Sequence, residues 1–273
     1  MVWFSAASMF FHEYACDEIF SFVSRAGMDA IEFWPETPDF WLNGQSVERI
    51  IACRKACPEL VTLTIHAPIL DLNPCSINPG VADLSVEFAV RSIELGRRLG
   101  ARLVTVHPGR RTAKRPPTPA DLARFDHYLA SLREASGTSG VRICMENMEP
   151  AVNALIHTPE RMREVLDEEP WLGFTLDVGH ALVGGPEEPA RYIELCHDRL
   201  ENVHMSRVER GRPHFPLARN PDIAKILEQL KNHGFRGGLT LELEDLNFDH
   251  VLSYGEKIAA LAEDCAFMRE CMR

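Results

Sequence analysis

Six short apolar runs in this sequence each end in a histidine or a carboxylate. The terminal residues are His66, His107, Glu146, Asp177, His204 and Glu242, at successive separations of 41, 39, 31, 27 and 38 residues. Each separation can hold a strand, a returning helix and two loops. Imidazole and carboxylate groups are ligands of zinc and manganese, so the pattern predicts a divalent metal site. A single strand-end histidine or aspartate is more often a cap or a satisfied loop residue, but six in one register favour a shared role.

These residues need a scaffold that brings strand ends together. Strand-like runs alternate with helix-like segments along the sequence, which is typical of a parallel sheet covered by helices. The predicted strands are Val2 to Ser5, Ala30 to Trp34, Thr62 to His66, Leu103 to His107, Val141 to Glu146, Gly173 to Asp177, Asn202 to Met205 and Leu239 to Leu243. Helices are predicted at Val81 to Leu99, Pro119 to Ala135, Glu160 to Leu166, Pro221 to Asn232 and Ser253 to Arg273.

Eight such units predict an α/β protein, a single (β/α)₈ TIM barrel that spans residues 1–273 as one domain. No G-x-G-x-x-G turn follows the first strand, which disfavours an open doubly wound sheet. No composition shift or linker marks a domain boundary. In a parallel barrel the carboxyl ends of the strands converge on one mouth, so the six residues are expected to meet there.

The bulk composition narrows the class of partner. Hydrophobic residues make up 45% of the chain and charged residues 25%, as in an ordinary soluble protein. The net charge of −11 disfavours nucleic acid. Eight scattered cysteines without a C-x-x-C pair predict reduced, structural thiols. The start has no basic region and no run of 18 uncharged apolar residues occurs, so neither a signal peptide nor a membrane span is predicted and a cytoplasmic protein is expected.

Six ordered segments resemble the xylose isomerase-like TIM barrels. They are IHAP (65–68), VHPG (106–109), MEN (145–147), LDVGH (176–180), NVHMS (202–206) and LTLELED (239–245). The superfamily contains sugar isomerases and epimerases as well as the type-IV apurinic endonucleases. The resemblance runs from about the second predicted strand to the last, and the order of the segments makes it specific.

The resemblance to the ketose 3-epimerases implies a metal quartet of Glu146, Asp177, His204 and Glu242. It also implies that Glu146 and Glu242 are the catalytic acid/base pair. A metal that holds adjacent carbonyl and hydroxyl oxygens acidifies the C–H between them, so a carboxylate on each face can move the proton through an enediolate. Glu244, two residues after Glu242, is the alternative ligand if the strand register differs. The cofactor is expected to be Mn, Zn, Co or Mg, with one or two ions per chain.

The resemblance to the endonucleases implies other ligands. His66 and His107 match histidines that share the glutamate to hold another zinc ion, and His180 and His214 match those of a third. The aspartate expected two residues before His214 is Arg212, which cannot ligate a cation. A complete three-zinc site is therefore not expected. The four histidines are candidates for a second metal or for substrate, with substrate contact favoured for His180.

Two basic clusters are predicted to lie at the same mouth. One follows the fourth strand and includes Arg110, and the other follows the seventh and includes Arg210 and Arg212. They favour an anion site for a phosphate or carboxylate, although charge runs are commonly solvated loops. By the family resemblance, Arg210 falls where epimerases place a substrate-contacting arginine. Glu32 is expected to contact substrate or to orient a ligand histidine, with an ion pair to an arginine as the structural alternative.

These observations predict a metal-dependent isomerase or epimerase of a small sugar, sugar acid or sugar phosphate. A zinc phosphodiesterase that acts on abasic DNA, of the endonuclease-IV type, is the alternative. A non-catalytic barrel that senses or carries a ligand is a third hypothesis. The expected partner is a small carbohydrate-like molecule, and a homo-oligomer is compatible with the sequence. The sequence does not fix the substrate, the metal or the oligomeric state.

Overall fold

The computed structural model describes all residues, 1–273. Ten strands are present: β1 (Trp3–Ala7), β2 (Ala30–Phe33), β3 (Thr62–His66), β4 (Leu103–Val106), β5 (Arg142–Glu146), β6 (Gly173–Asp177), β7 (Leu200–Met205), β8 (Arg207–Glu209), β9 (Arg212–Phe215) and β10 (Gly238–Leu241). Eight of them form a closed parallel barrel in the order β1-β10-β7-β6-β5-β4-β3-β2. The remaining two, β8 and β9, pair as an antiparallel hairpin after β7. The predicted (β/α)₈ barrel is confirmed.

Ten α-helices connect and cover the strands. They are α1 (Cys16–Arg25), α2 (Pro38–Leu42), α3 (Val47–Ala56), α4 (Pro79–Leu99), α5 (Pro119–Ser139), α6 (Pro159–Glu168), α7 (Val178–Gly184), α8 (Glu188–Cys196), α9 (Pro221–Asn232) and α10 (Tyr254–Met272). Short 3₁₀ helices lie at Ser8–Phe11, His197–Arg199 and Asp245–Asn247. The five predicted helices correspond to α4, α5, α6, α9 and α10. No helix is long and apolar enough to cross a membrane.

Local signals account for several of the helix ends. Helix α4 begins after Asn78, whose side chain accepts a hydrogen bond from the Gly80 N–H, and Pro79 occupies its first position. It ends at Gly100, which adopts a left-handed conformation with φ +63°. Helices α1, α2, α3, α7 and α8 and the β8–β9 hairpin were not predicted. Helices α2 and α7 and the two hairpin strands are too short to show a clear period, whereas α1, α3 and α8 have nine or ten residues and were missed despite their length.

The interior of the barrel below the mouth is polar, and most of its side chains are hydrogen-bonded. The Thr105 and Thr175 hydroxyls, on β4 and β6, lie 3.0 Å apart, and Asn202 on β7 donates to Glu32 on β2 at 2.9 Å. Neither pair joins neighbouring strands, so both contacts cross the barrel interior. Thr64 also donates to Glu32, and Thr240 donates to Asn202. Hydrogen bonding offsets the cost of burying these groups.

The strand-end residues lie one step above this polar layer. His66, His107, Asp177, His204 and Glu242 each follow, by two positions, one of the interior residues Thr64, Thr105, Thr175, Asn202 and Thr240. Side chains two apart on a strand share a face, which directs the upper residues into the mouth. Glu146 follows Cys144, itself buried on β5, by the same interval.

Three predicted strand ends were placed too far along the chain. Strand β2 ends at Phe33 rather than at Trp34. Strand β4 ends at Val106 rather than at His107, and β10 ends at Leu241 rather than at Leu243. The Glu242 N–H still donates to the Met205 carbonyl at 3.2 Å, but the chain then turns into the Asp245–Asn247 3₁₀ helix. Glu244 therefore lies outside the strand and is exposed, so the argument that it shares a strand face with Glu242 was wrong.

Candidate metal centre

The mouth of the barrel brings together all six strand-end residues. Together with His180 and His214, they supply three groups of nitrogen and oxygen atoms, and the atoms of each group lie within 4.8 Å of one another. The groups are Glu146–Asp177–His204–Glu242, His66–His107–Glu146 and Asp177–His180–His214. Glu146 and Asp177 each belong to two groups, so the three form one continuous cluster. Every predicted metal or histidine site residue lies in it.

The quartet of Glu146, Asp177, His204 and Glu242 fits a cation. Each member has a buried atom without a hydrogen-bond partner, namely Oε1 of Glu146, Oδ2 of Asp177, Nδ1 of His204 and Oε2 of Glu242. Buried polar atoms are almost always paired, since an unpaired one costs on the order of 1–3 kcal/mol. Four unpaired atoms of ligand type, within 4.8 Å of one another, form a donor set suited to a divalent metal.

His204 lies at the centre of the carboxylates. Its Nδ1 is 2.7 Å from Oε2 of Glu242, 3.6 Å from Oε2 of Glu146 and 3.9 Å from Oδ2 of Asp177. On the opposite side of the ring, Nε2 is 2.8 Å from Oε1 of Glu32, an ion-pair separation whose angles are not those of a hydrogen bond. This arrangement leaves Nδ1 for the cluster and Nε2 for Glu32.

Burial and mutual charge shift the pKa values of the quartet in opposite directions. Burial would raise the pKa of Glu146, but the charges of His107 and His204 hold it well below its ordinary value. The pKa of Glu242 is also lowered, because the contact with His204 outweighs burial. Burial would lower the pKa of His204, but Glu32 and Glu242 raise it well above its usual range. The burial of Asp177 raises its pKa to about 6.

Asn147 fixes the position of Asp177. Its side-chain Oδ1 accepts from the Asp177 N–H at 2.8 Å, and its Nδ2 donates to the Asp177 carbonyl at 3.0 Å. The Asp177 side chain in turn caps helix α7 by accepting from the His180 N–H through Oδ1. With Oδ1 used in this way, Oδ2 faces the cluster.

The second group is assembled around Glu146. Its Oε2 lies 3.2 Å from Nε2 of both His66 and His107. His66 donates from Nδ1 to the Ala67 carbonyl at 2.8 Å, so a neutral ring carries its lone pair on Nε2, toward the carboxylate. Two acceptors at this distance need a proton or cation between them. Ligands at about 2.1 Å from one zinc ion are separated by about 3.4 Å in a tetrahedron.

The third group places His180 and His214 beside Asp177. Nδ1 of His180 donates to the Asn147 carbonyl at 3.0 Å and lies 3.3 Å from Oε1 of Glu146. Burial would lower the pKa of His180, but the neighbouring carboxylates, chiefly Asp177, raise it to about 10. His214 lies on β9 with φ +67°, and its ring centroid is 5.2 Å from that of His180. A carboxylate oxygen of Asp177 lies within 4.8 Å of a ring nitrogen of each histidine. Arg212 occupies the position at which another aspartate was expected.

The other predicted site residues lie in different surroundings. Glu32 faces His204 and forms no ion pair with an arginine, which fits an orienting role. Arg210 has φ +52° at the turn of the β8–β9 hairpin, and its side chain is 89% exposed. Arg212 begins β9 and is also exposed. The structure brings neither arginine into the cluster, and their substrate contacts stay predictions.

A cavity of about 410 Å³ opens beside the cluster. His107 and His180 lie in its wall together with Glu149 and Arg110. Apolar residues complete much of the remaining wall, among them Ile69, Leu72, Met148 and Ala154. A concave, partly apolar cavity with a few polar groups is the usual form of a small-molecule site.

Three residues at this mouth were not among the predicted site residues. Asn147 positions Asp177, Glu149 brings Oε1 to 3.9 Å from Nε2 of His180, and Trp34 stacks on His66 with ring centroids 3.7 Å apart. Asn147 directly follows Glu146, Glu149 comes three residues after Glu146, and Trp34 directly follows β2. Their nearness to strand ends was the available signal.

Comparison with known proteins places this geometry in a family. A family model described as xylose isomerase-like TIM barrel matches residues 20–271. An uncharacterized protein of Methanocaldococcus jannaschii, MJ1188, is 32% identical over 98% of each chain. A probable endonuclease 4 of Mycoplasma pneumoniae is 25% identical over 43% of this chain and 41% of its own.

The solved structure of a D-tagatose 3-epimerase-like protein superposes on the chain with a TM-score of 0.77. It is 24% identical and covers 99% of this chain and 98% of its own. At this level of identity the likeness concerns the fold. The family model covers nearly the whole chain, and the ordered strand-end motifs occupy the mouth as such a barrel requires. The chain therefore belongs to the xylose isomerase-like TIM barrel family.

Proposed function

We propose that the protein is a divalent-metal-dependent isomerase or epimerase of a small carbohydrate-like substrate. The observation that carries the proposal is the set of four unpaired buried atoms on Glu146, Asp177, His204 and Glu242. Bound there, a divalent cation would polarise the carbonyl of a hydroxy-ketone and acidify the neighbouring C–H. The likeness to a D-tagatose 3-epimerase-like protein agrees with this chemistry.

The chain's own residues supply the proton transfer. Glu146 ends β5 and Glu242 follows β10, and β6 and β7 separate these strands in the barrel. The two carboxylates therefore approach the mouth from different sides. Both pKa values are lowered by neighbouring histidines, so both groups are held as carboxylates, the form of a general base. One carboxylate would remove the proton from the substrate carbon and later release it to solvent, and the other, having first taken up a proton from solvent, would donate that proton to the opposite face.

A zinc-dependent phosphodiesterase is the second candidate. The groups His66–His107–Glu146 and Asp177–His180–His214 favour it, because they supply ligands for further metal ions. The partial likeness to a probable endonuclease 4 points the same way. Against it stands the net charge of −11, which opposes binding to the phosphate backbone of DNA. We rank the isomerase first.

Deuterium uptake tests the first candidate. Protein loaded with Mn²⁺ or Co²⁺ should incorporate deuterium from heavy water into at least one member of a panel of ketoses and ketose phosphates. Glu146→Gln and Glu242→Gln should each slow the exchange by about 10²- to 10⁴-fold, the usual contribution of a general acid or base. Glu228→Gln, a substitution at an exposed residue of α9, should leave exchange unchanged.

A second variant separates proton transfer from metal binding. Asp177→Asn removes a proposed ligand that has no proposed role in proton transfer, so saturating metal should restore much of its exchange activity. The two glutamine variants should stay slow when metal analysis shows the site to be filled. Absence of exchange with every sugar, together with cleavage of an abasic oligonucleotide by protein holding two or more zinc ions, would reverse the ranking.

A further inference from the structure

The cavity beside the cluster is lined by an arginine as well as by two of the cluster's histidines. Arg110, an exposed residue, lies in its wall together with His107 and His180. The Arg110 guanidinium forms no ion pair and donates no hydrogen bond to another residue, while its backbone is fully engaged. Glu149, the carboxylate in the same wall, lies toward His180 rather than in an ion pair with Arg110.

The loop that carries Arg110 is held by hydrogen bonds. Asn73 accepts from the Arg110 N–H at 3.0 Å through Oδ1 and donates to the Arg110 carbonyl at 2.8 Å through Nδ2. Asn153 donates to the Arg111 carbonyl at 2.8 Å, and an isolated bridge joins Arg110 to Ala154. The loops after β3, β4 and β5 therefore form one wall, in which the position of Arg110 is set.

Close packing at Gly109 strengthens this arrangement. Gly109 has φ +75°, and a Cβ at this position would lie 2.9 Å from Oδ1 of Asn73 and 3.0 Å from the Pro74 ring. Only glycine fits so near to the neighbouring loop in that conformation. Arg111 differs from Arg110, because it bonds to the Pro116 carbonyl at 2.5 Å and approaches Asp121 at 3.8 Å. Lys114 and Arg115 differ because they do not line the cavity.

We propose that Arg110 binds an anionic group, a phosphate or carboxylate, on the end of the substrate remote from the metal. The proposal rests on the proposed function and narrows its substrate to an acidic or phosphorylated sugar. A guanidinium without a protein carboxylate keeps its donors free for such a group, which it can bind through two parallel hydrogen bonds. In a chain with a net charge of −11, a positively charged side chain in this cavity provides a local attraction for an anionic group.

Titration with inorganic phosphate tests the anion site without relying on turnover. Metal-loaded wild-type protein should bind phosphate, and Arg110→Gln should weaken that binding at least tenfold. Arg115→Gln is the matched control, since Arg115 is an exposed arginine in the same loop that does not line the cavity. Its affinity should stay within twofold of wild type. Equal losses in both variants, no loss in either, or no binding by wild type would overturn the proposal.

Kinetics separate the two proposals and the two anions. With a ketose phosphate or a sugar acid, Arg110→Gln should raise KM at least tenfold, whereas its KM for the neutral ketose should change by much less and Arg115→Gln should keep both KM values within twofold of wild type. The anion that shows the larger effect identifies the substrate class. If Arg110→Gln reacts as wild type does with both neutral ketoses and their acidic forms, Arg110 does not bind the anionic group and the isomerase proposal stands. If no sugar exchanges but phosphate binding depends on Arg110, the isomerase proposal fails and the anion site stands.

Discussion

A proton and a divalent cation would compete for the same atom, Nδ1 of His204. Three carboxylates, those of Glu146, Asp177 and Glu242, lie within 3.9 Å of it. Coulomb repulsion among three buried anions is costly unless a positive charge lies between them. Either a proton on His204 or a metal supplies it. A divalent metal supplies more charge and satisfies the unpaired oxygen atoms as well.

Glu32 is expected to orient His204 and to strengthen its donation to a metal. A carboxylate opposite a ligand histidine commonly contributes about 10- to 100-fold in metal affinity. We expect Glu32→Gln to weaken Mn²⁺ or Zn²⁺ binding by that factor, measured by competition with a chelator of known affinity. The replacement keeps an oxygen that can accept from Thr64 and Asn202, so the fold should be retained. Unchanged metal affinity would show that Glu32 serves the barrel interior alone.

At the scale of elements, two neighbouring strands approach without room for a side chain. A Cβ on Gly237, just before β10, would lie 2.2 Å from the carbonyl oxygen of Glu201 on β7. A backbone atom cannot move aside as a flexible side chain can. Because β7 carries His204 and β10 leads to Glu242, the spacing of these strands also sets the spacing of two proposed ligands.

Gly237→Ala should therefore destabilise the protein and disturb the centre. We expect a loss of about 1–3 kcal/mol in the free energy of unfolding, the usual cost of overpacking, measured by urea denaturation. Gly137→Ala on α5 is the control, since nothing lies within 4 Å of its new Cβ. Alanine in a helix interior should stabilise by about 0.5–1 kcal/mol. Equal stability of the two variants would contradict the close approach of β7 and β10.

At the scale of the whole molecule, metal binding and folding should be coupled. The cluster draws residues from β3, β5, β6 and β7 and from the segments after β4 and β10, so it exists only when the barrel is closed. A ligand that binds the folded state alone stabilises it by mass action. The centre would then hold the barrel mouth together, in addition to any chemistry.

Removal of metal should lower the thermal stability of the protein. At a Mn²⁺ or Zn²⁺ concentration of about 100 times Kd, the gain is about 2.7 kcal/mol. For a chain of this size, that corresponds to a rise in Tm of roughly 5–10 °C over chelator-treated protein, read by calorimetry. Asp177→Asn should reduce this rise, whereas Glu228→Gln should preserve it. Equal Tm values with metal and with chelator would argue against a metal centre.

Much of the architecture could be predicted from the sequence. The alternation of apolar runs with helical segments predicted the eight barrel strands, because parallel strands buried on both faces form short, uninterrupted apolar runs. Side chains alternate between the two faces of a strand with a period of two, which is a local property of the sequence. This period predicted that the terminal residues share the interior face of the barrel, namely His66, His107, Glu146, Asp177, His204 and Glu242. Short elements such as α7 and the β8–β9 hairpin were not predicted, because so few residues show no clear hydrophobic periodicity.

The sequence by itself determined the barrel and the types of group at its mouth, because strand periodicity and residue chemistry are written locally along the chain. Only the tertiary structure decided which atoms meet. Glu242 lies in the cluster and Glu244 outside it because the chain turns immediately after β10. Arg110 lines a cavity and Arg210 does not, because loops from different strands pack around the first and not the second. Such contacts join residues far apart in sequence, so no local pattern encodes them.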